Sequence, residues 1–302
     1  MPINTIFESE YCKWIDVIAP TKEDLEQLRQ QYPINKLHLD DAVDPSHLPK
    51  FEEVEGVKFF LTRENVELQR KNLNGINDVS TKLGIFIIEK IIITIHRTDN
   101  KSIVEIKEDF GKNPDKYISY TPDKLALILG LKIMKSFDDE SKKLIEVIDK
   151  LETEIFMQNN SQLNPIKKLY KIKRKAGLNA RVLNLSSDWI GAFKKLNLKD
   201  IEIADLVDKQ KDVASDFDHI SAQITNLISV YIALSDQKAN QVMKLLAMYS
   251  VYFLPITFIA GLYGMNFEFM PELHQKYGYY ATLGVMLIIV IATFIYFKKK
   301  KY

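Results

Sequence analysis

Near the C-terminus the chain has no charged residue in the 23 positions from Leu245 to Phe267, and none in the 20 positions from Gly278 to Phe297. An uncharged, mainly apolar run of about 20 residues matches the roughly 30 Å hydrocarbon core of a bilayer at about 1.5 Å rise per helical residue. Two such runs make a wholly soluble fold untenable and predict two membrane spans. Over all 302 residues, 41 Lys and Arg stand against 40 Asp and Glu, so net charge singles out no partner. The flanks set an expected orientation. Lys298, Lys299, Lys300 and Lys301 follow the second run, which by the positive-inside rule places the C-terminus in the cytoplasm. The N-terminal part then lies on the same side, with only the linker Asn266 to Tyr277 outside, in the plasma or inner membrane. The four lysines read either as a stop-transfer anchor or as a ring of positive charge at an oligomeric mouth. The first 20 residues carry acids and no apolar core, so no signal peptide is expected.

Ahead of the spans the patterning changes twice. Up to about position 120, short apolar runs alternate with turns: 14–19 (WIDVIA), 58–68 (KFFLTRENVEL), 83–89 (LGIFIIE) and 91–97 (IIITIHR) predict strands, the last two adjacent across Lys90. Thr21 opens a predicted helix to Gln31 with acids in its first turn. This makes 1–120 a mixed α/β domain. Thr121-Pro122 then starts a charged helix to about Gln158, since proline at the first helical position gives up no bond. A break at 159–165 separates it from a lysine-rich helical stretch, the pair filling 121–199. From Ala192 to Leu254 there is neither glycine nor proline in 63 positions, which predicts one continuous helix from about Asp200 into the first span. About 60 residues at 1.5 Å each is roughly 90 Å. A single globular chain cannot cover such a helix along its length, so self-association is expected. The layout is then stalk 200–244, first span 245–266, outer loop 267–277, second span 278–297 and basic tail 298–302.

The first span carries a stripe. At 100° per residue from Asn240, the residues Met243, Leu246, Ser250, Leu254, Thr257, Gly261 and Gly264 all fall between about 240° and 320°. Asn240 itself lies about 80° from the stripe centre. Small residues on one face suit helix–helix packing in lipid. A water-lined pore needs the same stripe, with Leu246 and Leu254 as apolar constrictions. Spacing alone leaves both readings open.

The residues Asn240-Gln-Val-Met243-Lys244-Leu-Leu, then Pro255-Ile-Thr257-Phe-Ile-Ala-Gly261-Leu-Tyr263-Gly264-Met265-Asn266 and Met270-Pro271-Glu272-Leu273, resemble the signature of the CorA family of magnesium and cobalt channels. In that family Tyr-Gly-Met-Asn ends the first of two C-terminal spans. The resemblance covers about 35 residues closely and the remainder in layout. Ala247 and Leu254 depart from the threonine and methionine common there, which bears on gating. It implies an α/β cytoplasmic domain, a long stalk helix and two transmembrane helices assembled as a funnel-shaped homopentamer. Five first spans would line the pore through Asn240, Met243, Leu246, Ser250, Leu254, Thr257 and Gly261. Gly264, Met265 and Asn266 would form the selectivity filter, with Met265 and Tyr263 packing the loop. The transported ion would be Mg2+, with Co2+ a second substrate and Ni2+ a third. A ring of neutral amides suits Mg2+, which sheds water reluctantly and can be held through its hydration shell. Glu268 and Glu272 would concentrate cations at the outer mouth.

The stalk carries Asp205, Asp208, Asp212 and Asp216 on one face. Taken alone this is a solvated face. The resemblance places Asp205 and Asp208 at a regulatory Mg2+ site between subunits, for which the acidic cluster Glu52, Glu53 and Glu55 of a neighbouring α/β domain is the expected partner, Glu52 and Glu55 first. The acidic run Asp138, Asp139, Glu140 is a further candidate for cation attraction. The five histidines show no metal-ligand spacing, the lone Cys12 excludes a cysteine zinc site, and no nucleotide-binding or nucleophile motif is present, so no enzyme, organic cofactor or nucleic-acid partner is expected. The competing readings are a zinc transporter of the same superfamily and a non-conducting membrane-tethered sensor or scaffold.

Overall fold

The structure is a computed structural model that describes residues 3–66, 73–157, 165–268 and 270–299, with the backbone alone at Glu272 and Leu273. It divides into two compact units, the first ending at Ile228 and the second beginning at Ser229.

The first unit opens with β1 (Ile3–Glu8), β2 (Lys13–Ile18), α1 (Lys22–Gln31), α2 (Lys36–Val43), β3 (Lys50–Val54), β4 (Val57–Asn65), β5 (Ser80–Ile88) and β6 (Ile91–His96). The six strands form one sheet in the order β1-β2-β6-β5-β4-β3. Only β2 and β6 run parallel; the other pairs are antiparallel. The central strands are buried on both faces, which is why they read as near-continuous apolar runs. Phe59, Leu61, Phe86, Ile93 and Ile95 meet Leu28, Leu39 and Ala42 of the first two helices. α1 starts where the sequence places it: Thr21 Oγ1 accepts from Asp24 N at 3.2 Å and the Asp24 carboxylate accepts from Thr21 N at 2.8 Å, a reciprocal cap. β4 ends at Asn65, short of the predicted run, whose residues Glu67 and Leu68 lie outside the described residues. β1 and β3 are not among the predicted strands. Both are edges, only partly buried, and β3 carries Lys50, Glu52 and Glu53, so neither has the apolar alternation that marks a strand.

Helices follow: α3 (Lys101–Lys112), α4 (Pro114–Tyr117), α5 (Pro122–Met157), α6 (Pro165–Leu185), α7 (Ser187–Gly191) and the long α8 (Asp200–Tyr263). α5 packs against β4, so the segments divided at position 120 on patterning share one compact unit. α8 begins at Asp200 and is unbroken for 64 residues, through Pro255. Its buried residues are Ile203, Leu206, Gln210, Val213, Phe217, Ile220, Ile224 and Leu227, spaced alternately three and four apart. That is a heptad seam. It docks on α5 at Gly130, where an added Cβ would lie 3.4 Å from Leu206 Cδ2. It docks on α6 and α7 through Gln210, whose amide donates to Leu183 O at 2.9 Å and Ser187 Oγ at 3.2 Å.

The second unit holds the rest of α8, a short 3-10 turn at Pro271–His274 and α9 (Gly278–Lys299). α8 and α9 are both long and apolar enough to cross a membrane. Lys298 and Lys299 close α9 in its last turn, where they complement the helix dipole; Lys300 and Lys301 lie outside the described residues.

Candidate ion path and stalk acids

Within the second unit, the orientation of the α8 stripe is set by what packs on the helix. In its apolar stretch the half-buried residues are Met248, Tyr252, Pro255, Ile256, Ile259 and Tyr263. On the same 100° wheel they fall between about 60° and 160°, nearly opposite the stripe. This is the face that meets α9. The Tyr252 ring lies 5.8 Å from that of Phe297, and Ile259 and Tyr263 line a cavity with Gly278, Thr282 and Val285. Asn240, Met243, Leu246, Ser250, Leu254, Thr257 and Gly261 are all exposed on the remaining surface. The chain therefore does not use its small-residue stripe to pack its own two apolar helices. Ser250 turns its hydroxyl inward, donating to Leu246 O at 3.0 Å, which satisfies the proton while leaving the oxygen lone pairs outward.

The helix ends at the predicted filter residues. Gly264 N donates to Ala260 O at 2.9 Å and Met265 N to Leu262 O at 3.3 Å, closing the last turn. A Cβ on Gly264 would sit 3.2 Å from the Ala260 carbonyl oxygen, so the turn is tight enough to disfavour a side chain. Asn266 and Glu268 follow in exposed, non-helical chain. Tyr263 lines a cavity with Gln275 and Gly278, and Met265 stands 48 % exposed. The Glu272 side chain lies outside the described residues.

In the first unit the acids separate into paired and unpaired sets. Asp205, Asp208 and Asp212 are exposed on α8, off the heptad seam. Among the described residues Asp208 has Lys211 as its one cation, at 4.0 Å, and no cation pairs with Asp205 or Asp212. Glu52 is held by Lys50 Nζ at 2.8 Å and His38 Nε2 at 2.8 Å. Glu55 instead occupies the two-residue turn between β3 and β4. Its φ of 50° and the 82° of Gly56 are the left-handed pair that such a hairpin turn needs. Asp138, Asp139 and Glu140 are not free to attract cations: Asp138 binds Lys142 at 2.7 Å and Lys209 at 3.2 Å, Asp139 binds Lys101 at 2.9 Å, and the buried Glu140 binds Lys175 at 2.5 Å. Among the described residues no three His, Cys, Asp or Glu side chains converge on one metal-sized site within the chain. The α9-facing residues escaped the sequence reading, although Tyr252, Ile256, Ile259 and Tyr263 repeat at helical spacing; the hydroxyls and glycines drew attention to the other face.

Comparison with known proteins bears on all of this. The family model described as CorA-like Mg2+ transporter protein matches residues 9–299. The cobalt/magnesium transport protein CorA of Thermotoga maritima is 28 % identical over 96 % of this chain and 83 % of its own length. The magnesium transport protein CorA of Wolinella succinogenes is 26 % identical over 99 % of this chain and 94 % of its own. Among solved structures, the complete CorA magnesium transporter of Methanocaldococcus jannaschii superposes with a TM-score of 0.82 at 20 % identity, covering 97 % of this chain and 92 % of that one. A match across nearly the whole chain, with the same succession of sheet, long helix and two apolar helices, identifies this protein as a member of the CorA-like Mg2+ transporter family, a membrane transporter of divalent cations and not an enzyme.

Proposed function

We propose that the protein mediates membrane-potential-driven uptake of hydrated Mg2+, with Co2+ and Ni2+ as further substrates, through a homopentamer whose termini are cytoplasmic. The observation that carries this reading is the opposition of faces on α8. α9 covers Tyr252, Ile259 and Tyr263, leaving Ser250, Thr257 and Gly261 for other copies or for water. Rings of α8 with α9 outside satisfy both faces. Asn266 stands just past the last turn, where five copies would present neutral amide oxygens to a hydrated ion. Neutral oxygens hold the hydration shell without binding the ion too tightly to release.

A potential of 100 mV, negative inside, is worth about 2.3 kcal/mol per charge and so about 4.6 kcal/mol for a divalent ion, an equilibrium ratio above a thousandfold. Such a driving force requires a gate. Intracellular Mg2+ bound by Asp205 and Asp208 of one subunit and by Glu55, with Glu52 beside it, of the next would supply one. The exposed carboxylates of Asp205, Asp208 and Glu55 suit a hard cation, and among the described residues Asp205 has no protein cation to displace.

The test is divalent flux into proteoliposomes under an imposed potential. Potential-dependent Mg2+ influx blocked by cobalt hexaammine, a mimic of the hydrated ion, is the expected result. Absence of flux at every internal Mg2+ concentration would establish a scaffold instead, and Zn2+ flux exceeding Mg2+ flux would establish a zinc transporter.

A further inference from the structure

Arg63 and Lys82 face each other across the β4–β5 ladder as direct register partners. Like charges directly opposite in a sheet destabilise it, and here both are buried, Arg63 at 1 % and Lys82 at 9 % exposed. A third cation, Arg97, lies at the same place, and the three line one cavity of ≈ 310 Å³ in the first unit. Among the described residues none of the three makes an ion pair with a carboxylate. The partners they do have are neutral. Lys82 Nζ donates to the carbonyls of Asp41 and Asp44, capping the end of α2. Arg63 Nη2 donates to Pro45 O at 2.8 Å and His47 O at 3.2 Å, and its Nη1 to Ser80 Oγ at 3.3 Å. Those bonds explain why the two side chains turn toward the loop after α2. They do not account for the charge, and Arg63 Nε is buried with no hydrogen-bond partner among the described residues. The single acid on the cavity wall is Asp99, which is exposed at the rim.

We infer that this cavity is a binding site for a small phosphoryl-bearing anion. The chemistry matches on three counts. Guanidinium and ammonium groups together recognise phosphate oxygens through charge-assisted bonds. Ser80, Thr81 and Thr98 add hydroxyls to the same wall. Ala42, Val43, Pro45 and Val66 give the cavity an apolar side that an inorganic ion would leave unused and an organic phosphate would cover. Burial, with Arg63 adding to it, pushes the Lys82 ammonium down to about 8, against the opposing carboxylates of Asp44 and Asp41. An anion in the cavity would reverse that push. The inference is independent of ion conduction and is tested apart from it.

Intact protein in detergent, free of divalent cations and phosphate, is titrated calorimetrically with inorganic phosphate and, separately, with adenosine monophosphate. Saturable binding of at least one is expected, with a raised melting temperature. Tighter binding of the nucleotide identifies an organic phosphate as the natural ligand, and binding of phosphate alone identifies the free ion. Arg97→Ala, on the exposed rim, is expected to weaken binding by roughly tenfold or more, the worth of one charge-assisted bond, with the unliganded melting temperature unchanged. Lys82→Met, which keeps the stem and removes the charge, provides the second variant; it is expected to abolish binding. No saturable heat with either probe, or affinity unchanged in both variants, would overturn the inference.

Discussion

Asp16 lies in the middle of β2 at 1 % exposure, yet it is ionised because three donors converge on it. His96 Nε2 is 3.0 Å away, Lys107 Nζ 2.6 Å, and Thr94 Oγ1 2.5 Å, the last also accepting from Trp14 Nε1 at 3.0 Å. Burial opposes the Asp16 charge, but the bonds and charges of His96 and Lys107 outweigh it and hold the carboxyl below its ordinary 3.8. Burial likewise opposes protonation of His96, and the Asp16 bond and charge overcome it, so His96 titrates above its ordinary 6.5. The sign differs at the two ends. Stability from His96 is complete below 6.5 and is lost as pH rises through its raised folded value; stability from Asp16 is complete above 3.8 and is lost as pH falls through its lowered one. The pair therefore stabilises the first unit most between pH 3.8 and 6.5. Both tryptophans, Trp14 and Trp189, are buried in that unit, so intrinsic fluorescence follows its unfolding in urea. The urea midpoint is expected to fall on both sides of that window, and Asp16→Asn to flatten both limbs. A variant with both limbs intact would show that the network does not set the profile. At the mouth, Asn266→Ala is expected to abolish selective Mg2+ flux without changing folding, and surviving selective flux would remove Asn266 from the filter.

At the scale of elements, α8 does two jobs with two patterns. Its first part is bound by the heptad seam, where Phe217 is fully buried. Phe217→Ala is expected to cost the first unit roughly 3–5 kcal/mol, read as a lowered urea midpoint. A loss within surface-mutation noise would mean that the seam is not what holds α8 to α5 and α6. In the proposed pore its apolar part would separate packing from conduction. Tyr252→Ala, on the α9 face, is expected to lower thermal stability, whereas Gly261→Leu, on the opposite face, is expected to block flux at unchanged stability; the reverse pattern would place the path on the wrong side. The sequence makes much of this legible, unevenly. The continuity of α8 as far as Leu254 follows from missing helix breakers, and the α1 cap from Thr21 and Asp24, because both depend on local chemistry. β3 is hidden because its residues are paid for by cross-strand partners and by Lys50, His38 and Lys195, not by an apolar face. The heptad seam follows the sequence spacing, but Gln210 interrupts its apolar register, and the Leu183 carbonyl and Ser187 hydroxyl that accept from its amide come from α6 and α7. Which side of α8 meets α9 depends on both helices at once, so no reading of α8 alone contains it.

For the whole assembly, the proposed gate places at the exposed acids of the first unit the point where a weak ligand would control a strong gradient. Two carboxylates about 4 Å apart repel by roughly 4 kcal/mol at an effective dielectric constant near 20. An interface that brings Asp205 and Asp208 toward Glu55 of a neighbour is therefore unfavourable until a divalent ion bridges it. Bound Mg2+ contributes through mass action: at ten times the site's Kd each site adds about 1.4 kcal/mol to the closed state, and five sites about 7 kcal/mol. That shifts the balance of open and closed states by about five orders of magnitude, while depletion of internal Mg2+ returns it. In the proposed pentamer the steepness would come from the number of copies and would need no tight site. Asp205→Ala combined with Asp208→Ala removes the ion's ligands and the repulsion together, so the closed state loses its dependence on Mg2+. Flux into proteoliposomes loaded with Mg2+ is then expected to match flux into vesicles loaded without it, while the unmodified protein conducts only into the latter. Glu55→Gln should give an intermediate response, since it leaves the α8 ligands in place. Inhibition by internal Mg2+ that persists unchanged in the double variant would refute this gate and move the sensor to residues other than these acids.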